Sequence, residues 1–262
     1  MDVRVVPASE LDAAGGTLVT SWLHAAAAAG RSAPTLQPAL GTSALGIYRD
    51  LARRRVRGEL DTAALRLIQL DEYLGLGRTD PRSLLGWLRR DVAEPLAIPD
   101  DRIIALPGDP TDQAAALRTY DDRVAAAGGV DIAILGLGPN GHLGFNEPPS
   151  DADAPTRAVA LTEASLQSNA RYWGDRAAVP SHALTAGMTT ILGARRILLV
   201  VSGRAKQTIL DRLLDEPVSS NLPATFLRTV PGVTLLADDE AWSPGRPRPG
   251  PATDATDGPR LR

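Results

Sequence analysis

The 262-residue chain contains no cysteine, which excludes a disulfide framework and any thiolate metal site. It has only three histidines, His24, His142 and His182. None is paired at ligand spacing, so a histidine-rich metal site is not expected. The formal net charge is −3 and no basic stripe is visible, which argues against nucleic acid as a partner. Aromatic residues are scarce, and Trp22, Trp87, Trp173 and Trp242 form no stripe on which bases could stack. Arginine greatly outnumbers lysine and alanine is abundant, a bias that reflects a GC-rich genome more than a function. No apolar run reaches the roughly 20 residues that a membrane span needs. Ala25 to Ala29 is short and weakly hydrophobic, and residues 1–30 lack a basic start followed by a long apolar core. The expectation is a cytoplasmic protein with no membrane partner.

The chain does have 44% hydrophobic residues, enough to bury one good core, or one domain with a small lid. Ser9-Glu10-Leu11-Asp12 reads as a helix start, with an alanine-rich body to about Ala29. Ala33 to Pro38 is the first expected inner strand, weakened at its end by Pro38. Ser43 to Arg54 follows as a helix, and Leu65 to Leu70 as an apolar run ending in Asp71-Glu72. Further helices are expected over Ser83 to Leu96, Asp112 to Ala127, Glu163 to Trp173, Ala183 to Leu192 and Ala205 to Leu214. Further strands are expected over Arg102 to Leu106, Val130 to Leu135, Ala158 to Leu161, Arg196 to Val201 and Val233 to Ala237. This alternation predicts an α/β fold, a doubly wound and mostly parallel sheet with helices on both faces. Residues 1–242 are expected to form a single domain with a lid at about 155–185. The proline-rich segment 243–262 has too few apolar groups to offset its ordering entropy, and reads as a disordered tail.

The most informative run is Gly136-Leu137-Gly138-Pro139-Asn140-Gly141-His142-Leu143-Gly144-Phe145-Asn146-Glu147-Pro148. It follows a buried strand, and so falls at the C-terminal edge where open α/β sheets bind small molecules. Its glycines let the backbone turn sharply and approach a ligand closely. A histidine with a carboxylate five residues on, His142 and Glu147, can do acid/base work because the carboxylate can hold the imidazole's tautomer. Leu40-Gly41-Thr42-Ser43 lies between a strand and a helix, where backbone N–H groups and hydroxyls can face an anion. Thr and Ser also cap helices for purely structural reasons. Asp71 ends an apolar run at the same edge, where a partly desolvated carboxylate can abstract a proton next to a carbonyl or imine. The plainer alternative is that Asp71-Glu72 starts a solvated loop.

The central loop resembles the signature of the glucosamine-6-phosphate deaminase family, Gly-(any)-(Asp or Asn)-Gly-His-(any)-(any)-Phe-Asn-Glu-Pro after a buried strand. Leu70-Asp71-Glu72-Tyr73-Leu74-Gly75-Leu76 is similar to a second motif of that family. The resemblance runs from about residue 10 to 240. The 6-phosphogluconolactonases share the fold and the Gly-His but lack the Phe-Asn-Glu-Pro continuation. The resemblance implies that His142 opens the sugar ring, that Glu147 orients and charge-tunes it, and that Asp71 is the base for the C2 proton, with Glu72 and Tyr73 structural. It also implies a phosphate site at Gly41, Thr42 and Ser43, with Arg171 and Lys206 at matching positions. An arginine fork and a lysine point charge together suit a phosphate monoester. No metal and no organic cofactor is implied.

The implied substrate is a small-molecule sugar phosphate, with glucosamine 6-phosphate giving fructose 6-phosphate and ammonia. Galactosamine 6-phosphate is a rival substrate. A lactonase-type hydrolase and a non-catalytic sugar-phosphate sensor are the alternative readings. One chain shows no symmetry, which leaves a homo-oligomer open. Three departures bear on the site. Asn140 stands where some members carry a carboxylate, and an amide hydrogen-bonds without supplying negative charge. Ala39-Leu40-Gly41 replaces a common Pro-Thr-Gly. Arg157 matches an allosteric-ligand arginine of the bacterial hexameric enzymes, but Val159 replaces the lysine expected beside it, so activation by N-acetylglucosamine 6-phosphate is not expected. His24 and His182 read as packing or surface residues.

Overall fold

Ten strands alternate with seven helices in the computed structural model, which describes residues 1–249; the end of the expected tail, 250–262, lies outside the described residues. The strands are β1 (Asp2–Val6), β2 (Thr35–Pro38), β3 (Arg66–Ile68), β4 (Asp71–Tyr73), β5 (Ile103–Ile104), β6 (Ile132–Gly136), β7 (Arg157–Ala160), β8 (His182–Thr185), β9 (Arg196–Val201) and β10 (Val233–Asp238). The helices are α1 (Leu11–Ala28), α2 (Thr42–Val56), α3 (Leu84–Leu88), α4 (Gln113–Ala126), α5 (Glu163–Trp173), α6 (Met188–Leu192) and α7 (Gln207–Asp215).

Seven strands form one all-parallel sheet in the order β1-β10-β9-β6-β2-β3-β5. Its centre is apolar without alternation because both faces are covered, as parallel sheets require. Successive residues therefore feed two separate cores. Leu36, Ile134, Leu198 and Leu236 pack on one face with Ile47 and Tyr48 of α2. Ala133, Leu135, Leu199 and Leu235 pack on the other with Leu210 and Leu213 of α7. From β2 the chain moves outward through β3 and β5, then returns to lay β6 on the opposite side of β2. That reversal opens a crevice between the C-terminal ends of β2 and β6, the position at which doubly wound sheets hold ligands.

A second sheet, β4-β8-β7, is antiparallel, with Thr185 opposite both Asp71 and Arg157. Only residues 69 and 70 separate β3 from β4, so this small sheet stands on the C-terminal edge of the large one. α5 is carried between β7 and β8.

Several expectations need correction. The helix expected over Ala183 to Leu192 is two elements, strand β8 and then α6, which Gly187 caps. Thr185 pairs on both sides, and cross-strand pairing outweighs the weak local preference of the alanines. Ser83 to Leu96 holds only a short α3, continued by a π-helical turn over Arg89–Ala93. β1 was not expected; it is an edge strand that exists through its ladder with β10. Asp71-Glu72-Tyr73 is a buried strand and not the start of a solvated loop. The ordered chain also runs beyond 243: Trp242 is buried, and Ser243 and Arg246 hydrogen-bond to Asp211 of α7. No helix among the described residues is long and apolar enough to cross a membrane.

Candidate active site

α2 begins at the end of β2, and because its N-cap is Gly41, no side chain among the described residues caps its first backbone N–H groups. Gly41 has an ordinary φ of −74°, and a Cβ there would meet nothing within 4 Å. Neither strain nor protein packing therefore requires the glycine; what it preserves is open cleft in front of the helix. Thr42 and Ser43 follow as the first helical residues. Together they offer N–H groups, two hydroxyls and the positive end of a 15-residue helix to an anion.

Across the crevice, the loop after β6 folds back so that the Gly138 N–H donates to His142 O and the Gly141 N–H to Gly138 O, at 3.2 and 3.1 Å. Gly141 takes a φ of +81° that other residues resist. The His142 ring lies directly on the Gly138 backbone, in the volume a Cβ would fill. Its Nδ1 faces Glu147 Oε2 at 3.2 Å and Ser165 Oγ at 3.3 Å. Asn140 Nδ2 donates to the same Glu147 oxygen at 2.7 Å, and Thr162 Oγ1 donates to it at 3.1 Å. Burial works to raise the Glu147 pKa, but the hydrogen bond and charge of His142, with Asn140 assisting, bring it down to about 2. Glu147 is thus a fixed anion behind the imidazole, and Nε2 is the ring nitrogen left for chemistry.

Asp71 opens β4 and lines the same cleft. Among the described residues no group hydrogen-bonds its carboxyl oxygens. Burial, and then the adjacent Glu72 carboxylate, raise its pKa to about 7, the condition of a base poised for neutral pH. Glu72 faces away. Its oxygens accept from the N–H groups of Tyr73, Leu84 and Leu85 and from Gln69 Nε2, at 2.8 to 2.9 Å. It ties β4 to the start of α3, which explains an acidic pair inside a buried strand. Tyr73 packs against Phe145 and Trp173.

The two cations reach the cleft from different elements. Lys206, the single lysine of the chain, precedes α7 and donates from Nζ to Leu137 O at 2.5 Å. Burial, then the nearby Arg171 charge, lower its pKa. Arg171 lies on α5, with its guanidinium 4.6 Å above the Tyr172 ring and donating to the Tyr172 hydroxyl at 2.7 Å. Asp71, His142, Arg171 and Lys206 line one cleft of about 470 Å³ together with the Gly41-Thr42-Ser43 turn. Asn140 and Glu147 stand behind the imidazole.

Sequence reasoning missed Thr162 and Ser165. Thr162 caps α5, accepting from the Ser165 N–H, and the same hydroxyl touches Glu147. A threonine just before the polar-faced helix was a readable cap signal, but nothing local pointed it at residue 147. His24 and His182 are exposed and lie outside the cleft. Among the described residues no group of three or more His, Asp or Glu side chains is gathered as a metal ion would need.

Comparison with known proteins places the chain in a family. A family model described as "Glucosamine-6-phosphate isomerases/6-phosphogluconolactonase" matches residues 8–236. The chain is 39% identical over 245 residues to a glucosamine-6-phosphate deaminase of Streptomyces avermitilis, covering 93% of this chain and 92% of that one. A solved monomeric glucosamine-6-phosphate deaminase superposes with a TM-score of 0.86 at 32% identity, covering 92% and 98% of the two chains. The 6-phosphogluconolactonase of Trypanosoma brucei shares the fold, with a TM-score of 0.71 at 21% identity over 92% of this chain and 97% of that one.

Proposed function

The chain belongs to the family of glucosamine-6-phosphate isomerases and 6-phosphogluconolactonases, and within it we propose that the protein is a glucosamine-6-phosphate deaminase. The observation that carries this reading is one cleft holding an isolated carboxyl of raised pKa, a histidine backed by a fixed anion, and an anion cradle.

In the proposed reaction the phosphate sits at the start of α2 between Arg171 and Lys206, and this remote binding energy orients the sugar. His142 Nε2 takes the anomeric hydroxyl proton and delivers it to the ring oxygen, opening the ring. Glu147 stabilises the imidazolium formed on the way. Asp71 then removes the C2 proton, leaving a C1–C2 enolamine. Return of the proton to C1 converts the enolamine to a C2 imine, which water hydrolyses to fructose 6-phosphate and ammonia. The carboxylate form of Asp71 is the active one, so kcat/KM rises as pH passes through about 7. A cytoplasmic location fits a phosphorylated substrate of this kind.

Purified protein is expected to release ammonia from glucosamine 6-phosphate, with unphosphorylated glucosamine a far poorer substrate. Assay of both hexosamine epimers separates the galactosamine reading. Binding across the panel with no ammonia released would sink the deaminase reading in favour of a sensor. The phosphate assignment is checked separately. Lys206→Ala and Arg171→Ala are each expected to weaken binding of a reduced, unreactive sugar-alcohol phosphate by roughly 1.5–3 kcal/mol, as charge-assisted contacts do. Calorimetric titration measures this, and unchanged affinity in both variants would move the phosphate elsewhere.

A further inference from the structure

Arg157, at the start of β7, is half-buried, yet among the described residues it pairs with no carboxylate. Nη1 donates to Asn146 Oδ1 at 2.7 Å and to Pro155 O at 3.1 Å, and Nη2 donates to Ser150 Oγ at 2.7 Å. Burial lowers its pKa, the mark of a charge held partly out of water without an anion to compensate it. Arg31 and Arg54, comparably sheltered, are compensated by Asp131 and Asp50, whereas Arg157, like Arg228, donates to neutral acceptors. Charge therefore does not account for Arg157, whereas shape does.

Its two side-chain acceptors, Asn146 and Ser150, flank Glu147. Asn146 precedes it and is itself pinned, with Nδ2 donating to Leu143 O and Ala186 O at 2.9 Å. Ser150 follows it and donates from Oγ to Glu147 O at 2.5 Å. One planar guanidinium thus spans the turn that presents the carboxylate. Beyond the other end of β7, Thr162 donates to that carboxylate directly. The turn is thus held from the first residue of β7, and its carboxylate from just beyond the last.

We propose that Arg157 is a positioning residue, which sets Glu147 against His142 Nδ1 by bracing both sides of its turn. The inference rests on the role proposed above for the His142–Glu147 pair. A lysine supplies charge at one point and cannot span two acceptors in this way, so Arg157→Lys fails as Arg157→Met does.

The test compares Arg157→Met and Arg157→Lys with Val159→Ala. Val159 lies on the same strand and packs against the core, and its apolar side chain has no hydrogen bond to give to this network. Two readouts are used, steady-state kinetics and the downfield proton NMR signal of a solvent-shielded imidazole N–H. His24 and His182 are exposed, so a shielded signal belongs to His142. Both Arg157 variants are expected to lose that signal and to drop kcat by roughly tenfold or more while KM stays within about twofold. Val159→Ala is expected to keep signal and kcat even if it melts at a lower temperature. Retention of the signal and of parental kcat in folded Arg157→Met overturns the proposal. So does equal loss of the signal in Val159→Ala, which would make the effect a general loosening. The NMR readout needs no turnover, so it decides the role of Arg157 even if the parent protein releases no ammonia.

Discussion

Asp71→Asn is expected to lower kcat by roughly 10²-fold or more and, above pH 7, to make the protein more stable than its parent. Both effects come from one property. The carboxyl is buried with a pKa raised from 3.8 to about 7, so between those values folding takes up a proton that the unfolded chain has already lost. Stability of the parent therefore falls as pH rises from about 4 to about 7, and is flat beyond. At about 1.4 kcal/mol per pH unit the whole difference is at most roughly 4 kcal/mol. Asparagine keeps the shape and has no such slope. Urea denaturation of both proteins at pH 4, 5.5 and 8 measures it: coincident curves at pH 4, and the variant increasingly ahead at the higher values. A parent whose stability is the same at pH 4 and pH 8 would mean that Asp71 is ionised throughout. Loss of C2-hydrogen exchange with deuterated solvent is the kinetic counterpart.

Gly138→Ala is the second large effect, and it separates packing from backbone strain. Gly138 is not among the positive-φ glycines, so its backbone accommodates alanine. The added Cβ nevertheless overlaps Cδ2 and Nε2 of His142, and the imidazole must leave the Gly138 surface. A displacement on the order of 1 Å at a reacting group costs about 10²-fold in rate. The expected outcome is a folded protein with near-parental sugar-phosphate affinity and kcat lower by roughly that factor. Normal turnover would mean that the imidazole can work from another position.

The loops that carry chemistry were legible because short-range rules govern them. A glycine-rich turn after a buried strand, and a Gly-Thr-Ser entry to a helix, need no distant partner to be read. What could not be read depends on contacts between separate parts of the chain. The small antiparallel sheet exists because Thr185 finds Asp71 and Arg157; read without those distant partners, the alanines make β8 look like the start of a helix. Thr162 and Ser165 reach the His142–Glu147 pair only because β7 delivers them there. Resemblance implies that Asp71 is a base, but its raised pKa comes from the burial of β4 and from the charge of the adjacent Glu72 carboxylate. Arg157 carried the signature of a ligand-binding residue, yet its donors are engaged within the protein.

Lys206 is the chain's one side-chain amine, and it faces the cleft. Among side chains, reagents that acylate amines therefore have one target, and it lines the site. Attachment to a surface through that group ties the molecule by the residue on which substrate capture is proposed to depend, and obstructs the cleft. The extent of acylation at Lys206 in turn reports cleft occupancy without a functional assay, since a bound phosphate compound shields the amine.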